Sequence, residues 1–337
     1  MRLIAMKIAV FEYKPRDKRF FNKECKGDDV TYEAEPLTER NAAEYKDVEV
    51  ACTFISSKVT KKVLESMPKL KLVVTRSTGY DHIALKEAKK RGVTVCNIPR
   101  YGSNTVAEHT FALILNLSRN VHKSYVRAQE ENYQVEDLTG FDLKDKWLGV
   151  IGVGRIGQHV IKIAKGFGMH VVAYDQYRDE FLADLLHFTY ADSVEDVVRK
   201  ADIITLHVPS TPATRHLADK ELLSKAKKSS LLINTSRGDV VDTDALYEAL
   251  KSGRLGGAGL DVVEGEQLVK EDRALMQIHD QEKVRRLLEN KEILKMDNVV
   301  FTPHNAFNSK EALHRILDIT KENVEAYKRG EPQNVVN

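Results

Sequence analysis

The stretch GVIGVGRIGQHV, residues 149–160, constrains this chain more than any other. Gly152, Gly154 and Gly157 have the spacing G-x-G-x-x-G. They stand between a run that reads as a strand, WLGVIGV (147–153), and a segment that reads as a helix. In that context the first glycine permits a tight turn and the second lets the backbone approach a pyrophosphate. The third lets helix and strand pack closely. The helix N-terminus then offers free N–H groups and its dipole to the phosphates. An acidic residue is expected at the end of the next strand, about 20 residues on. Asp175, in VVAYDQY, fills that place. Its carboxylate suits ribose hydroxyls and repels a 2′-phosphate, which favours NAD; Arg178 nearby keeps NADP open.

Strand-like and helix-like runs alternate along the rest of the chain, the rhythm of a parallel sheet with helices on both faces. Before the glycine loop the strand-like runs are 7–13, 30–35, 48–54, 70–76 and 93–98. After it they are 170–175, 202–208, 230–236, 257–263 and 298–304. One long helical stretch, 104–131, lies between the two series, and a helix at 309–330 closes the chain. In the long stretch Val106, Phe111, Leu113, Ile114, Leu115, Leu117 and Val121 cover much of the circumference, so burial against another domain or subunit is expected. The punctuation IPRYGSN near residue 101 marks a change of unit.

A chain of 337 residues can hold two ordinary domains. A net charge of +2 gives no strong pull toward nucleic acid or an anionic membrane. No apolar run approaches the roughly 20 residues of a membrane span. Cys25, Cys52 and Cys96 are single and far apart, which suits a reducing, cytoplasmic setting. No His/Cys cluster has metal-ligand spacing, so no metal is expected.

In an open parallel sheet, ligands bind beyond the carboxyl ends of the strands. The later strands deliver a consistent set there: His207 then Pro209, Arg237-Gly238-Asp239, Asp261 with Glu264 and Glu266, and His304. Hydride transfer to a keto group leaves an alkoxide, and a histidine is a natural proton donor near neutral pH. A carboxylate bonded to the imidazole favours its charged form. An arginine can grip a substrate carboxylate with two parallel bonds.

From about residue 50 onward the chain resembles the D-isomer-specific 2-hydroxyacid dehydrogenases. The stretches that carry the resemblance are TRSTGYDHI (75–83), NIPRYGSNTVAEHTFALIL (97–115), GVIGVGRIGQ (149–158), DIITLHVPSTPATRHL (202–217), LLINTSRGDVVDTDAL (231–246), GAGLDVVEGE (257–266) and TPHNAF (302–307). The resemblance implies an α/β fold of two doubly wound parallel-sheet domains. A Rossmann NAD domain (102–304) is then inserted into a flavodoxin-like substrate domain (1–101 and 305–337). Closure of the two would exclude water. It further implies catalytic Arg237, Glu266 and His304; Glu266 is favoured over Glu264 because it lies five residues after Asp261. The substrate carboxylate would meet the loop N–H groups of Thr78 and Gly79, with Tyr101 facing the substrate. Cofactor contacts would come from Gly152, Gly154, Arg155, Ile156, Gly157, Asp175, His207, Val208, Pro209, Thr214, Thr235, Ser236 and Asp261. A homodimer through the NAD domain and helix 104–121 is also implied.

Tyr101, the long segment 267–297 and the HNAF ending resemble the D-lactate dehydrogenase branch, which points to pyruvate and D-lactate. Glyoxylate, hydroxypyruvate and branched 2-keto acids stay open. So does 3-phosphoglycerate, for which Arg76 and Arg100 are candidate cations. A reading of another class is an NAD-sensing corepressor on the same fold, disfavoured because all three catalytic positions are filled.

Overall fold

The computed structural model describes residues 5–266 and 281–337. It divides into two compact units, one of residues up to Tyr101 together with Ser309–Asn337, the other Gly102–Asn308.

The first unit is a five-stranded parallel sheet: β1 (Lys7–Phe11), β2 (Asp29–Glu33), β3 (Val50–Thr53), β4 (Leu72–Thr75) and β5 (Thr94–Cys96). Their order is β2-β1-β3-β4-β5, the flavodoxin-like arrangement. β3 and β4 are buried along their whole length, which explains their unbroken apolar runs in place of alternation. Ala9, Ala51, Val73 and Val95 pack into one core with Leu37, Val63 and Met67. After helix Lys310–Lys328, the closing segment folds back along β5: Val336 N donates to Val95 O, and Cys96 bridges Val335 antiparallel.

The second unit is a seven-stranded parallel sheet: β6 (Trp147–Ile151), β7 (His170–Tyr174), β8 (Thr189–Tyr190), β9 (Ile203–Leu206), β10 (Ser230–Asn234), β11 (Leu255–Leu260) and β12 (Val299–Phe301). The order β12-β11-β10-β9-β6-β7-β8 reverses direction between β6 and β9, and that reversal is where such folds place a dinucleotide. Both faces are covered. Ile203, Leu231 and Ile233 join one core with Phe111 and Val160, while Ile204, Leu206 and Leu232 join another with Val197 and Leu222.

One expectation needs correction. The long helical stretch is two helices, Ser103–Ser118 and Val121–Gln129, broken where Asn120 turns left-handed at φ 51°. Phe111, Leu113, Ile114 and Leu117 of the first helix are buried inside the second unit. Gly257 and Gly259 of β11 let that helix come close: a Cβ at 259 would stand 3.0 Å from Leu113 Cβ. Two-residue β8 was not anticipated, being too short for periodicity to register. Of the segment 267–297, residues 267–280 lie outside the described residues, and helix Gln281–Ile293 follows them.

Candidate active site

The glycine loop is built as its spacing requires. Gly152 has φ 97°, and a Cβ there would lie 2.6 Å from the carbonyl oxygen of His207. A Cβ on Gly157 would stand 2.1 Å from Gly152 O. Gly154 faces open space and precedes helix Arg155–Gly166 with no side-chain cap on its first N–H groups. That is a cradle for phosphate: backbone can approach, and the uncapped helix end favours an anion. Arg155 is exposed and Ile156 half-buried at the same end.

Asp175 follows β7, and its carboxylate accepts from Val153 N (2.7 Å) and Tyr177 N (2.9 Å), which fixes it beside the loop. Arg178 is committed elsewhere, to Asp192 (2.9 Å) and the carbonyl of Ala191 (2.8 Å). The donor set fits an NAD ribose better than one carrying a 2′-phosphate.

At the end of β9, His207 Nε2 meets Thr205 Oγ1 at 2.9 Å, and burial pushes the imidazole down to about 3, so it is neutral. Val208 and Pro209 follow it; Thr214 spends its hydroxyl on the Pro209 carbonyl, tying that loop. Thr235 is buried against Thr110 (3.0 Å), and Ser236 donates to Asn234 (2.8 Å).

Arg237 stands in a turn shaped by Asn234. The Asn234 amide donates to Arg237 O (2.8 Å), and its carbonyl accepts from Ser236 N (3.0 Å). A Cβ on Gly238 would lie 2.2 Å from the Val263 carbonyl, so only glycine lets this turn press against the segment carrying Glu264 and Glu266. Asn234 was missed as a site residue, and Gly238, though placed at the strand end, was given no role of its own. Their sequence signal, an Asn ending a strand and a Gly after the arginine, is weak because they act on backbone.

The histidine pair is closed. His304 Nδ1 lies 2.9 Å from Glu266 Oε1, and Nε2 has no partner among the described residues. The backbone of His304 is left-handed (φ 54°), held by its N–H on Asp261 O at 2.8 Å. Glu264 instead faces His216 Nε2 at 3.0 Å.

Asp261, 1% exposed, organises the loop after β12. It accepts from Thr302 Oγ1, Asn305 N (2.7 Å) and Ala306 N (3.0 Å). Thr302 has one hydroxyl hydrogen and gives it to the carboxylate, so His109 Nε2, 2.9 Å away, donates to Thr302. Burial pushes the Asp261 carboxyl up, but His109 and these hydrogen bonds outweigh it and hold it below the usual carboxylate range.

In the first unit, β4 ends in Arg76 and then the loop Ser77-Thr78-Gly79. Arg76, 4% exposed, donates to Asp17 Oδ2 (2.9 Å) and Phe11 O (2.6 Å). It is therefore a buried structural cation, not one held out to a substrate phosphate. Arg100 is exposed. Tyr101 is half-buried, and its carbonyl accepts from Arg315 Nε at 2.6 Å. Among the described residues no group of three or more His, Cys, Asp or Glu could hold a metal ion, and no helix is long and apolar enough to cross a membrane.

The sequence profile of the D-isomer specific 2-hydroxyacid dehydrogenase NAD binding domain matches residues 111–306. The D-lactate dehydrogenase of Escherichia coli is 35% identical, over 97% of this chain and 98% of that one. A glyoxylate reductase of Korarchaeum cryptofilum is 37% identical, over 90% of this chain and 87% of that one. The crystal structure of D-lactate dehydrogenase from Aquifex aeolicus, complexed with NAD and lactic acid, superposes with a TM-score of 0.86 at 35% identity, covering 96% of each chain.

Proposed function

The chain belongs to the D-isomer-specific 2-hydroxyacid dehydrogenases, NAD-dependent oxidoreductases acting on a CH–OH group, and on that premise we propose that it interconverts pyruvate and D-lactate. The observation that carries the proposal is the His304–Glu266 pair, bonded at 2.9 Å through Nδ1, with no partner on Nε2 among the described residues.

NADH, when bound, supplies the hydride to the keto carbon. Gly152, Gly154 and Gly157 with the N-terminus of helix Arg155–Gly166 would hold its pyrophosphate, and Asp175 its ribose. Val208, Pro209, Thr214, Thr235 and Ser236 would line its path, with His207 kept neutral beside it. His304 donates the proton that the forming alkoxide needs, and in lactate oxidation takes it back. Glu266 fixes the ring through Nδ1 at 2.9 Å, which aims Nε2. Arg237 binds the substrate carboxylate and polarises the neighbouring carbonyl. Thr78 and Gly79 would offer backbone N–H groups to a substrate carboxylate, and Tyr101 a contact to the substrate side chain.

A small, singly charged keto acid fits better than 3-phosphoglycerate because Arg76 is already neutralised by Asp17. The likeness to a glyoxylate reductase makes glyoxylate the natural competitor. The test is NADH oxidation across pyruvate, glyoxylate, hydroxypyruvate and branched 2-keto acids, repeated with NADPH. Pyruvate with NADH should give the highest kcat/KM. Preference for glyoxylate would replace the substrate, and no turnover with any keto acid would remove the reading.

The protein is proposed to be a cytoplasmic homodimer joined through its second unit. Helix Ser103–Ser118 buries its apolar residues internally, but Val121 (49% exposed), Tyr125 (65%), Val126 (54%), Tyr133 (78%) and Val135 (74%) follow it on the surface. The three thiols are free, in keeping with a reducing compartment.

A further inference from the structure

The loop Ser77-Thr78-Gly79 has every one of its main-chain carbonyls engaged. Ser77 O accepts from Ile98 N at 3.0 Å. Thr78 O accepts from the side-chain amide of Asn97 at 2.8 Å. Gly79 O accepts from Ser77 Oγ at 2.6 Å. Because Ser77 gives its hydrogen to Gly79, it receives one from Thr75 Oγ1, 2.8 Å away. The Thr78 hydroxyl adds a bond to Ile98 O at 3.0 Å.

In a trans peptide the C=O and the following N–H point in opposite directions. Pinning Ser77 O and Thr78 O onto residues 97 and 98 therefore turns the N–H groups of Thr78 and Gly79 away from that segment. Neither donates to an acceptor among the described residues. Two adjacent, parallel, unspent amides on a locked backbone make a receptor for a carboxylate.

Of the grips on this loop, the Asn97 amide is the one side chain reaching in from another strand's end, and the main chain of Asn97 is itself held on two sides. Asn97 N donates to Asn334 O at 3.1 Å. Asn97 O accepts from Asn323 Nδ2 at 2.9 Å, and Asn323 Oδ1 accepts from Asn334 Nδ2 at 2.8 Å. Every acceptor in this chain is a carbonyl, so each amide orientation is forced. Asn97 is 8% exposed and Asn323 0%. Three asparagines thus run from the closing segment beside β5, through helix Lys310–Lys328, to the peptide between Thr78 and Gly79.

We infer that Asn97 is a positioning residue for substrate capture: by gripping Thr78 O it aims the Gly79 N–H at the keto acid's carboxylate, with Asn323 and Asn334 as its buttress. The inference rests on the proposed reading that this loop receives the substrate carboxylate. A residue that only kept the fold would alter thermal stability and leave the substrate constants alone.

The experiment measures the KM for pyruvate and the inhibition constant of oxamate, a carboxylate-bearing isostere that is not reduced, in the full-length protein. In Asn97→Ala both constants should rise together by about tenfold, the worth of one well-aimed hydrogen bond to a charged group. The NADH dissociation constant should stay at the wild-type value. Asn97→Asp keeps the shape and replaces the donor with an acceptor, so it should do at least as much. It decides the matter if the alanine variant does not fold. Asn334→Ala, which removes only the buttress, should give the same change in weaker form and serves if both others fail to fold. Wild-type constants in any folded Asn97 variant overturn the inference. If in the same series Arg237→Lys still raises KM, the functional reading stands without it. A wild-type protein that reduces no 2-keto acid removes the reading and this inference together.

Discussion

Two histidine–glutamate pairs lie at the edge of the second sheet, and by distance they are nearly the same. His304 meets Glu266 at 2.9 Å and His216 meets Glu264 at 3.0 Å. Both histidines are left-handed, at φ 54° and 53°, and each gives its N–H to an aspartate carbonyl at 2.8 Å. Their surroundings differ. His216 has Asp242 at 3.5 Å on its other nitrogen, and Glu264 is shared with Arg215 at 3.4 Å and Thr243 at 3.5 Å. That pair is consumed by its neighbours and fastens the loop after β9 to the start of helix Thr243–Lys251. His304 keeps its Nε2 uncommitted among the described residues. A carboxylate beside an imidazole can serve a staple or an acid catalyst, and the proposal assigns the second role to His304 on the strength of that uncommitted nitrogen.

The largest contrast should come from deleting the imidazoles. His304→Ala should lower the rate of keto-acid reduction by about 10²–10⁴-fold, with NADH binding retained. His216→Ala should leave that rate close to wild type and lower the melting temperature. Equal rate losses in steady-state assays of the two variants would erase the distinction. Next come the carboxylates. Glu266→Gln should cost about tenfold or more in kcat through a lost charge-assisted bond. Glu264→Gln should appear in urea unfolding instead; a kinetic defect confined to Glu264→Gln would reverse the assignment of the two glutamates.

The smallest effect concerns a third histidine, His207, pushed down to about 3 by burial. Folded, it stays neutral, while in the unfolded chain a histidine takes up a proton below about pH 6.5. The unfolded state then binds more protons, so this group's stability contribution is lost as pH falls from about 6.5 toward 3. Its share amounts to about 2 kcal/mol between pH 7 and pH 5. His207→Gln should flatten that part of the stability curve measured by denaturant titration at the two pH values; an unchanged slope would mean His207 titrates normally.

Much of this was legible in the sequence because strands buried on both faces read as apolar runs, and because the glycine spacing carries its own steric logic. The choice between Glu264 and Glu266 was not legible from residue chemistry, since both are carboxylates just beyond a strand. The proposal takes Glu266 because it is the one against His304 at 2.9 Å, in the turn where Glu266 N donates to Val263 O, while Glu264 meets His216. The break at Asn120 carries no Gly or Pro to announce it. Asn97 and Asn234 were invisible for a shared reason: each works by holding a main-chain carbonyl that looks the same in every sequence.

The left-handed backbone of His304 has a consequence for any saturation library at that position. Gly and Asn tolerate φ near 54° and should give well-folded, inert proteins. Val and Ile, branched at Cβ, should be lost at the folding step. A screen scored on soluble expression would therefore rank substitutions at 304 by their backbone preferences, and a screen scored on turnover would see nearly all of them as equally dead. Only the difference between the two scores would isolate what the imidazole does.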